Sequence, residues 1–412
     1  MTNNKFKKLI TELCPKGVEF LELGGVITDL RTGLNPRQNF KLNPPDGSNW
    51  YITVRELAGF DIKYSEKTDK VDDDGLSIIQ KRSRLKVGDV LFSGTGTIGR
   101  TALVKDAPLD WNIKEGVYAI TPNHKILNSR YLIYIFHNLI DKIVAQADGS
   151  TVASISMKNL KKFKIPLPPL PIQEEIVKII DTFTELEAEL EAELEARKKQ
   201  YEYYINGLFK LENADHQPLG EIGHFTRGKR FVKNDILEEG FPCIHYGEMY
   251  TYYNVWTEKT KSFISPDLAS RLRTAHYGDV VLVAAGETIE DIGNAVAWLG
   301  NSDVVIHDAC FAFSHKLNPK YVSYFFRTNN FRSQIKRYVS SGKISAINDR
   351  GLAKAIIPIP SDKEQERIVS ILDKFDALVN DISVGLPAEL AARRKQYEYY
   401  RNKLLTFKEY EN

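Results

Sequence analysis

Cysteine is scarce in this chain. Its three residues in 412, Cys14, Cys243 and Cys310, stand far apart, so neither a disulfide framework nor a CxxC metal site is available. No apolar run approaches the length of a membrane-spanning helix. The first residues, MTNNKFKKLITELCPKG, lack the apolar centre of a signal peptide. A reducing, cytoplasmic setting without membrane association is therefore expected. A large charge of one sign is also missing, with 56 Lys and Arg against 54 Asp and Glu and a net charge of +2. The 8 histidines show no HxxxH or HExxH spacing, so zinc-hydrolase chemistry has no obvious ligand set.

What is present points to a folded protein. Hydrophobic residues make up 42% and charged residues 27%, with 20 Tyr and 20 Phe. The length exceeds one ordinary core and suggests two or three domains. The near-neutral total hides an uneven distribution. Residues 1–170 carry 25 basic against 18 acidic groups, 171–212 carry 5 against 11, 213–355 carry 17 against 15, and 356–412 carry 9 against 10. A basic first segment suits an anionic partner such as nucleic acid.

The organising feature is an internal repeat. Ile165-Pro166-Leu167-Pro168, Gln173-Glu174, Ile176-Val177, Asp181 and Phe183 return 192 residues later as Ile357-Pro358-Ile359-Pro360, Gln365-Glu366, Ile368-Val369, Asp373 and Phe375. RKKQYEYY (Arg197 to Tyr204) returns as RRKQYEYY (Arg393 to Tyr400) at an offset of 196, so four residues have been gained between them. Upstream the echo is fainter but keeps its order: Leu23-Gly24 with Leu219-Gly220, Gly88-Asp89-Val90 with Gly278-Asp279-Val280, Ile98-Gly99 with Ile292-Gly293, and Asn128 and Tyr131 with Asn318 and Tyr321. A period this long is a duplicated domain-plus-helix unit, not a solenoid.

The fold expected is mixed α/β: two pseudo-repeated globular domains, residues 1–164 and 213–356, joined by helical segments 165–212 and 357–412. Pro168, Pro169 and Pro171 force an extended approach to a helix beginning near Ile172. Ser361 and Glu364 form a capping-box pattern before the second helix. Apolar residues at spacings of three and four along both helices predict an antiparallel coiled coil, with independent amphipathic helices as the alternative. ELEAELEAELEA (Glu185 to Ala196) is a tetrapeptide repeat on an acidic helix face, each repeat adding about 6 Å of helix. Gly385 and Pro387 should break the second helix. In the globular domains, Trp50 to Val54, Val90 to Phe92, Val117 to Ile120, Val280 to Val283 and Ala295 to Trp298 read as strands. Arg130 to Val144 and Lys320 to Val339 read as helices.

Gly-Asp-Val followed by Ile-Gly, and then Ile-Pro-Leu-Pro-Pro-x-x-x-Gln-Glu-x-Ile-Val opening a long helix, resembles the specificity subunits of type I restriction-modification systems. Both halves carry the pattern, and it covers essentially the whole chain; the second copy departs from it, with Ser361-Asp362-Lys363 in place of Pro169-Leu170-Pro171. The resemblance implies a non-catalytic protein whose two target recognition domains each read part of a split double-stranded DNA site. Tetrapeptide repeats in the central helix would set the spacer between the parts. Two modification subunits, carrying S-adenosylmethionine for adenine methylation, and restriction subunits using ATP and Mg are the implied partners. This chain itself would bind no cofactor. A coiled-coil scaffold without DNA recognition is the alternative.

Three strings imitate other chemistry. GTGTIG (Gly94 to Gly99) matches a nucleotide-binding pattern, but strand-like Ala102-Leu103-Val104 follows it, and Arg100 stands where a P-loop needs Lys. NPPD (Asn43 to Asp46) lacks the aromatic residue with which an adenine methyltransferase stacks on a flipped base, and reads as a turn. His245, His276, His307 and His315, with His307-Asp308-x-Cys310, read as structural or DNA-contacting rather than catalytic. Candidate DNA contacts follow from residue type. In the first domain they are Arg31, Arg37, Arg55, Lys81, Arg82, Arg84, Ser93, Thr95, Thr97 and Arg100. In the second they are Arg227, Lys229, Arg230, Lys233, Tyr246, Glu248, Tyr250, Thr251 and Lys343.

Overall fold

The computed structural model describes residues 2–410 apart from 108, 148–152, 341, 343 and 382. The chain gathers into two compact units, Met1–Glu189 with Ala391–Asn412, and Leu190–Leu390. Both helical segments are thus shared between the units.

The first unit is built on an antiparallel sheet of four strands in the order Ile27–Thr32, Val117–Pro122, Val90–Ser93 and Thr101–Leu103. The inner strands are buried on both faces, which is why they appear in the sequence as unbroken apolar runs. Side chains alternate between those faces. Val90, Phe92, Tyr118 and Ile120 join the helix Ser129–Asn138 in one cluster, whereas Leu91, Val117 and Ala119 join Ile52 and Ile113 in another. Ile52 and Ile113 end the parallel pair Asn49–Ile52 and Trp111–Ile113 of a second, smaller sheet.

The second unit repeats this plan with one strand more. Its main sheet runs Gly223–Arg227, Cys310–His315, Val280–Val283, Ala295–Trp298 and Trp256–Thr257. Its smaller sheet again contains a parallel pair, Phe241–Ile244 with Val304–Ile306. The helices expected over 130–144 and 320–339 are each broken once, into Ser129–Asn138 and Ile140–Val144, and into Pro319–Phe326 and Asn329–Lys336. In the second case Thr328 starts a new helix, its hydroxyl accepting from the Phe331 N–H.

The central helix spans Leu170–Gly207 and continues through the tetrapeptide repeat. The second segment divides into Asp362–Asn380 and Leu386–Leu405, as Gly385 and Pro387 require. Gly385 is buried, and a Cβ there would come within 2.4 Å of the Ala377 carbonyl oxygen, so only glycine fits the break. The capping box is not formed. Ser361 precedes the helix but its side chain makes no capping bond. The Glu364 carboxylate is held instead by the Arg367 guanidinium, at 2.7 Å.

Within each unit two helices pack together. In the first, the rings of Phe183 and Tyr400 stack at 5.3 Å, Arg394 Nε meets Glu187 Oε1 at 2.6 Å, and Leu404 and Leu405 are buried with Ile172, Ile176 and Ile180. Residue numbers rise along one helix as they fall along the other, so the pairing is antiparallel. In the second, Phe375 and Tyr204 stack at 4.8 Å, and Ile205 and Phe209 are buried with Ile368 and Leu372. Phe183 and Phe375 are repeat equivalents, as are Tyr400 and Tyr204.

The Gln-Glu motif acquires a physical explanation here. Gln173 is fully buried. Its Oε1 accepts from the Asn128 N–H at 2.9 Å, while its Nε2 donates to the carbonyls of Ile126 and Pro168 at 2.8 and 2.7 Å. Gln365 does the same in the second unit, accepting from Asn318 N–H at 2.9 Å and donating to the Pro360 carbonyl at 3.0 Å. Asn128 and Asn318 in turn cap the helices that cover the main sheets, each accepting from two backbone N–H groups. The side-chain amide thus ties the start of a long helix to the globular fold.

Replacing Gln173 by Leu keeps the volume but leaves one N–H and two carbonyls without their partner. Thermal or denaturant unfolding of the full chain should show a loss on the order of 3 kcal/mol, the cost of buried unsatisfied groups. A loss below about 0.5 kcal/mol would mean that the amide is dispensable.

Candidate nucleic-acid interface

In both units the parallel pair of the smaller sheet ends at the same place, and the residues just past its carboxyl ends converge. The last backbone rung is equivalent in the two units: Lys114 N–H donates to the Ile52 carbonyl at 2.8 Å, and His307 N–H to the Ile244 carbonyl at 3.3 Å. The chain leaving the first strand of the main sheet joins them, through Leu34 in one unit and Gly228 in the other. Gly228 packs so tightly that a Cβ would lie 2.1 Å from the His307 carbonyl oxygen.

The first crevice has a volume of about 650 Å³, and its lining includes Asn35, Arg37, Arg55, Thr95, Lys114 and Glu115. Of the residues expected to contact DNA, it brings together Arg37, Arg55 and Thr95. Arg100 lies beside them, its guanidinium 3.4 Å from the Val54 carbonyl. Arg37 adopts a left-handed backbone (φ 35°) at an exposed turn. Acidic groups are interleaved: Arg55 reaches Asp69 at 3.3 Å, and Asn35 donates to Glu115 at 2.7 Å. The Gly94 to Gly99 loop connects two strands, so no helix N-terminus is there to cradle a nucleotide phosphate. Asn43 sits in a turn with its side chain bonded to Asp69 and the Lys70 N–H.

The equivalent strand ends of the second unit are differently furnished. His245, Tyr246 and His307 pack ring to ring at 4.7 to 5.1 Å above the buried Phe231. Around them, Arg227 Nε donates to the Asp308 carbonyl at 3.0 Å, Lys229 Nζ to the Arg271 carbonyl at 2.9 Å, and an Arg273 guanidinium nitrogen to the Arg227 carbonyl at 2.7 Å. The charges of Lys233 and Arg230 act on His245 and His307 respectively. Burial depresses the basicity of both imidazoles, more than the nearby Glu248 and Asp308 carboxylates restore it.

Three candidate contacts are corrected by their burial. Arg31 is 5% exposed; its guanidinium meets Asp89 at 2.6 Å and donates to the Thr121 hydroxyl and the Arg84 carbonyl. Its charge is consumed inside the fold. The Ser93 hydroxyl is buried, donating to the Thr97 carbonyl and accepting from the Arg100 N–H. Glu248 is buried between Ser262 and the His245 N–H.

Thr97 is exposed on its loop, and Tyr250 and Thr251 are exposed on the short helix Glu248–Thr251. Lys81, Arg82 and Arg84 lie at the end of helix Asp73–Ser83, outside the crevice lining; Arg82 donates to the Gly33 carbonyl at 3.1 Å. Lys343 falls outside the described residues. Asn35, Lys114, Glu115, Arg271 and Arg273 were not anticipated. Lys114 carried one usable signal, since it directly follows an apolar strand as His245 and His307 do.

Among the described residues, no cluster of His, Cys, Asp or Glu could hold a metal ion, and no helix is long and apolar enough to cross a membrane. All three cysteines are free. Cys310 is fully buried with its thiol pushed up to about 12, the opposite of an activated nucleophile.

Comparison with known proteins places these features in a family. The model of the type I restriction modification DNA specificity domain matches residues 15–196 and again 212–392. A Haemophilus influenzae protein named as a type I restriction enzyme specificity subunit is 32% identical over 306 residues, covering 68% of this chain and 73% of its own length. The EcoR124I/EcoR124II specificity subunit of Escherichia coli is 34% identical over 297 residues, covering 68% and 72%. Among solved structures, a chain from the assembly of a type I R-M system superposes with a TM-score of 0.63 at 17% identity, over 95% of this chain and 98% of that one. The S subunit from M. genitalium gives 0.52 at 15% identity, over 94% and 96%. These structures share the fold.

The histidines separate by environment. His276 is raised by its 2.8 Å bond to Asp303, whereas burial lowers His245 and His307. An NMR pH titration of the imidazole signals should place the midpoint of His276 above 6.5 and those of His245 and His307 below it. The reverse order would show that the neighbouring carboxylates, and not burial, govern His245 and His307.

Proposed function

This chain belongs to the type I restriction modification DNA specificity family, and we propose that each of its two units reads one part of a split DNA site through its strand-end crevice. It is a specificity subunit, the DNA-recognition component and not the catalyst of such a system. One observation carries the assignment of the reading surface. The same strand-end backbone rung occurs twice, beside Asn35, Arg37, Arg55 and Lys114 in the first unit and beside the packed rings of His245, Tyr246 and His307 in the second. Arg, Lys and Asn offer the donors that base edges accept, and the cations also meet phosphates. Different side chains on one frame are what two readers of different sequences require.

Residues 1–164 and 213–356 are then the recognition domains, and segments 165–212 and 357–412 the spacer, extending as a coiled coil. The RKKQYEYY and RRKQYEYY helices suit docking of two identical modification subunits, because the motif is kept where the crevices diverge. Restriction subunits join that complex. S-adenosylmethionine, and ATP with Mg, belong to those partners, and the assembly works on cytoplasmic double-stranded DNA.

The genomic N6-methyladenine pattern of the source strain, with and without this gene, tests the assignment, backed by expression of the chain with its modification subunit. One split motif should depend on the chain; no methylated split motif in the reconstituted system would refute it. In that system, Arg37→Ala with Arg55→Ala should alter or relax one half of the motif and leave the other intact. If both side chains meet phosphates, the slope of log affinity against log salt should fall by about 1.8, roughly 0.9 for each lost contact. An unchanged motif together with an unchanged slope would place the interface elsewhere.

A further inference from the structure

We propose that Asp181 and Asp373 are positioning residues that fix the angle between each recognition domain and its long helix, and so hold the spacing between the two half-sites to one value. The inference rests on the function proposed above. Each aspartate, 192 residues from its equivalent, receives a cation and a phenol from the helix that covers the main sheet. The Arg130 guanidinium meets Asp181 through two nitrogens, at 2.7 and 3.0 Å, and the Tyr134 hydroxyl donates to the same carboxylate. Lys320 Nζ meets Asp373 at 2.9 Å, and the Tyr324 hydroxyl donates to it at 2.7 Å. Both cations also lie on an aromatic face contributed by another part of their domain. The guanidinium of Arg130 is 4.2 Å from the Phe60 ring centre, and the Lys320 ammonium 3.9 Å from that of Trp256. Phe60 and Trp256 thus supply a ring to the cation of each clasp.

The mechanical reason lies in the distance between two attachments. Gln173 ties the first turn of the central helix to its domain, and Tyr131 adds a bond from its hydroxyl to the Pro166 carbonyl. Asp181 lies eight residues further on, about 12 Å along the axis. Ile176 and Ile180 pack the helix against the core between these ties, and the second polar tie, about 12 Å from the first, fixes the direction in which the packed helix leaves its domain. A swivel of about 10° displaces a point about 20 Å from the pivot by roughly 3.5 Å, close to one base-pair step of about 3.4 Å. The clasp therefore acts on the tolerance of the spacer and leaves base reading to the crevice.

The two clasps differ in stiffness. The planar guanidinium fork of Arg130 fixes orientation as well as distance, whereas the Lys320 ammonium is a point charge. The second unit compensates through Asn254, whose side-chain amide bonds Asp376 on the same helix at 2.5 Å.

The test is the methylation pattern directed by Asp181→Ala in the full chain expressed with its modification subunit. The wild-type chain must direct methylation of a split motif; if it does not, the proposed function fails before this inference is reached. The expected result is that both half-sites keep their sequence while methylation at sites with a spacer one base pair longer or shorter rises at least tenfold. Tyr134→Phe, which removes a single hydroxyl donor and keeps the core, should shift the pattern in the same direction and decides the matter if Asp181→Ala yields no folded subunit. Methylation confined to the wild-type spacer, whether at full or uniformly reduced level, would overturn the inference, as would a changed half-site.

Discussion

A buried amide, used twice, is the constraint on which the rest of this molecule depends. Gln173 and Gln365 sit where a proline-stiffened strand turns into a long helix, and each bonds backbone groups on both sides of that junction. Burying such groups unpaired is costly, so the glutamine is chosen for its capacity to donate and accept at one site. A glutamate would lack the donor and a leucine both functions. Because the accepted N–H belongs to the N-cap residue of the helix that covers the main sheet, one side chain couples the globular core to the helical segment. Everything further along the helix inherits its starting point from that contact.

This coupling explains the uneven character of the repeat. Residues of the junction recur with their partners: Gln with the cap Asn, Tyr131 and Tyr321 with Pro166 and Pro358, Asp181 and Asp373 with a cation and a tyrosine. Residues at the strand ends recur only in backbone position. Junction side chains are constrained by geometry that both units share, whereas the side chains at the strand ends are free of that constraint and differ between the units.

Legibility in the sequence follows the same division. The long helices, the break at Gly385, the buried strands and the duplication were readable because they rest on periodicity, on glycine and proline, and on exact recurrence. The parallel pairing of the smaller sheets was not, since it joins segments about 60 residues apart with no local signal. That gap is why the crevice residues were only partly identified. Arg37, Arg55 and Thr95 have the chemistry of DNA contacts and line the first crevice, but Arg31 has the same chemistry and is locked to Asp89 inside the core. Residue type alone cannot separate an arginine that faces solvent from one that alternates inward along a strand. Ser361 and Glu364 illustrate the same limit: the capping spacing is present, but Arg367 one turn on takes the carboxylate.

The balance of charge bears on how such a surface discriminates. A protein that bound DNA chiefly by density of positive charge would carry a large net excess and a steep salt dependence, and would hold any sequence. Here the net charge is +2, and acidic groups stand among the strand-end side chains, Asp69 at Arg55, Glu115 at Asn35 and Asp308 at His307. The Asp69 carboxylate beside Arg55 weakens its attraction for a bare phosphate and holds that guanidinium in a fixed direction. Fixed donors are costly to misalign with a wrong base edge, since each then loses a bond without regaining water. On the proposed reading surface, such an arrangement would lower affinity for arbitrary DNA more than for the matching site. A subunit whose task is to direct other proteins to one sequence among many requires that difference rather than tight binding as such.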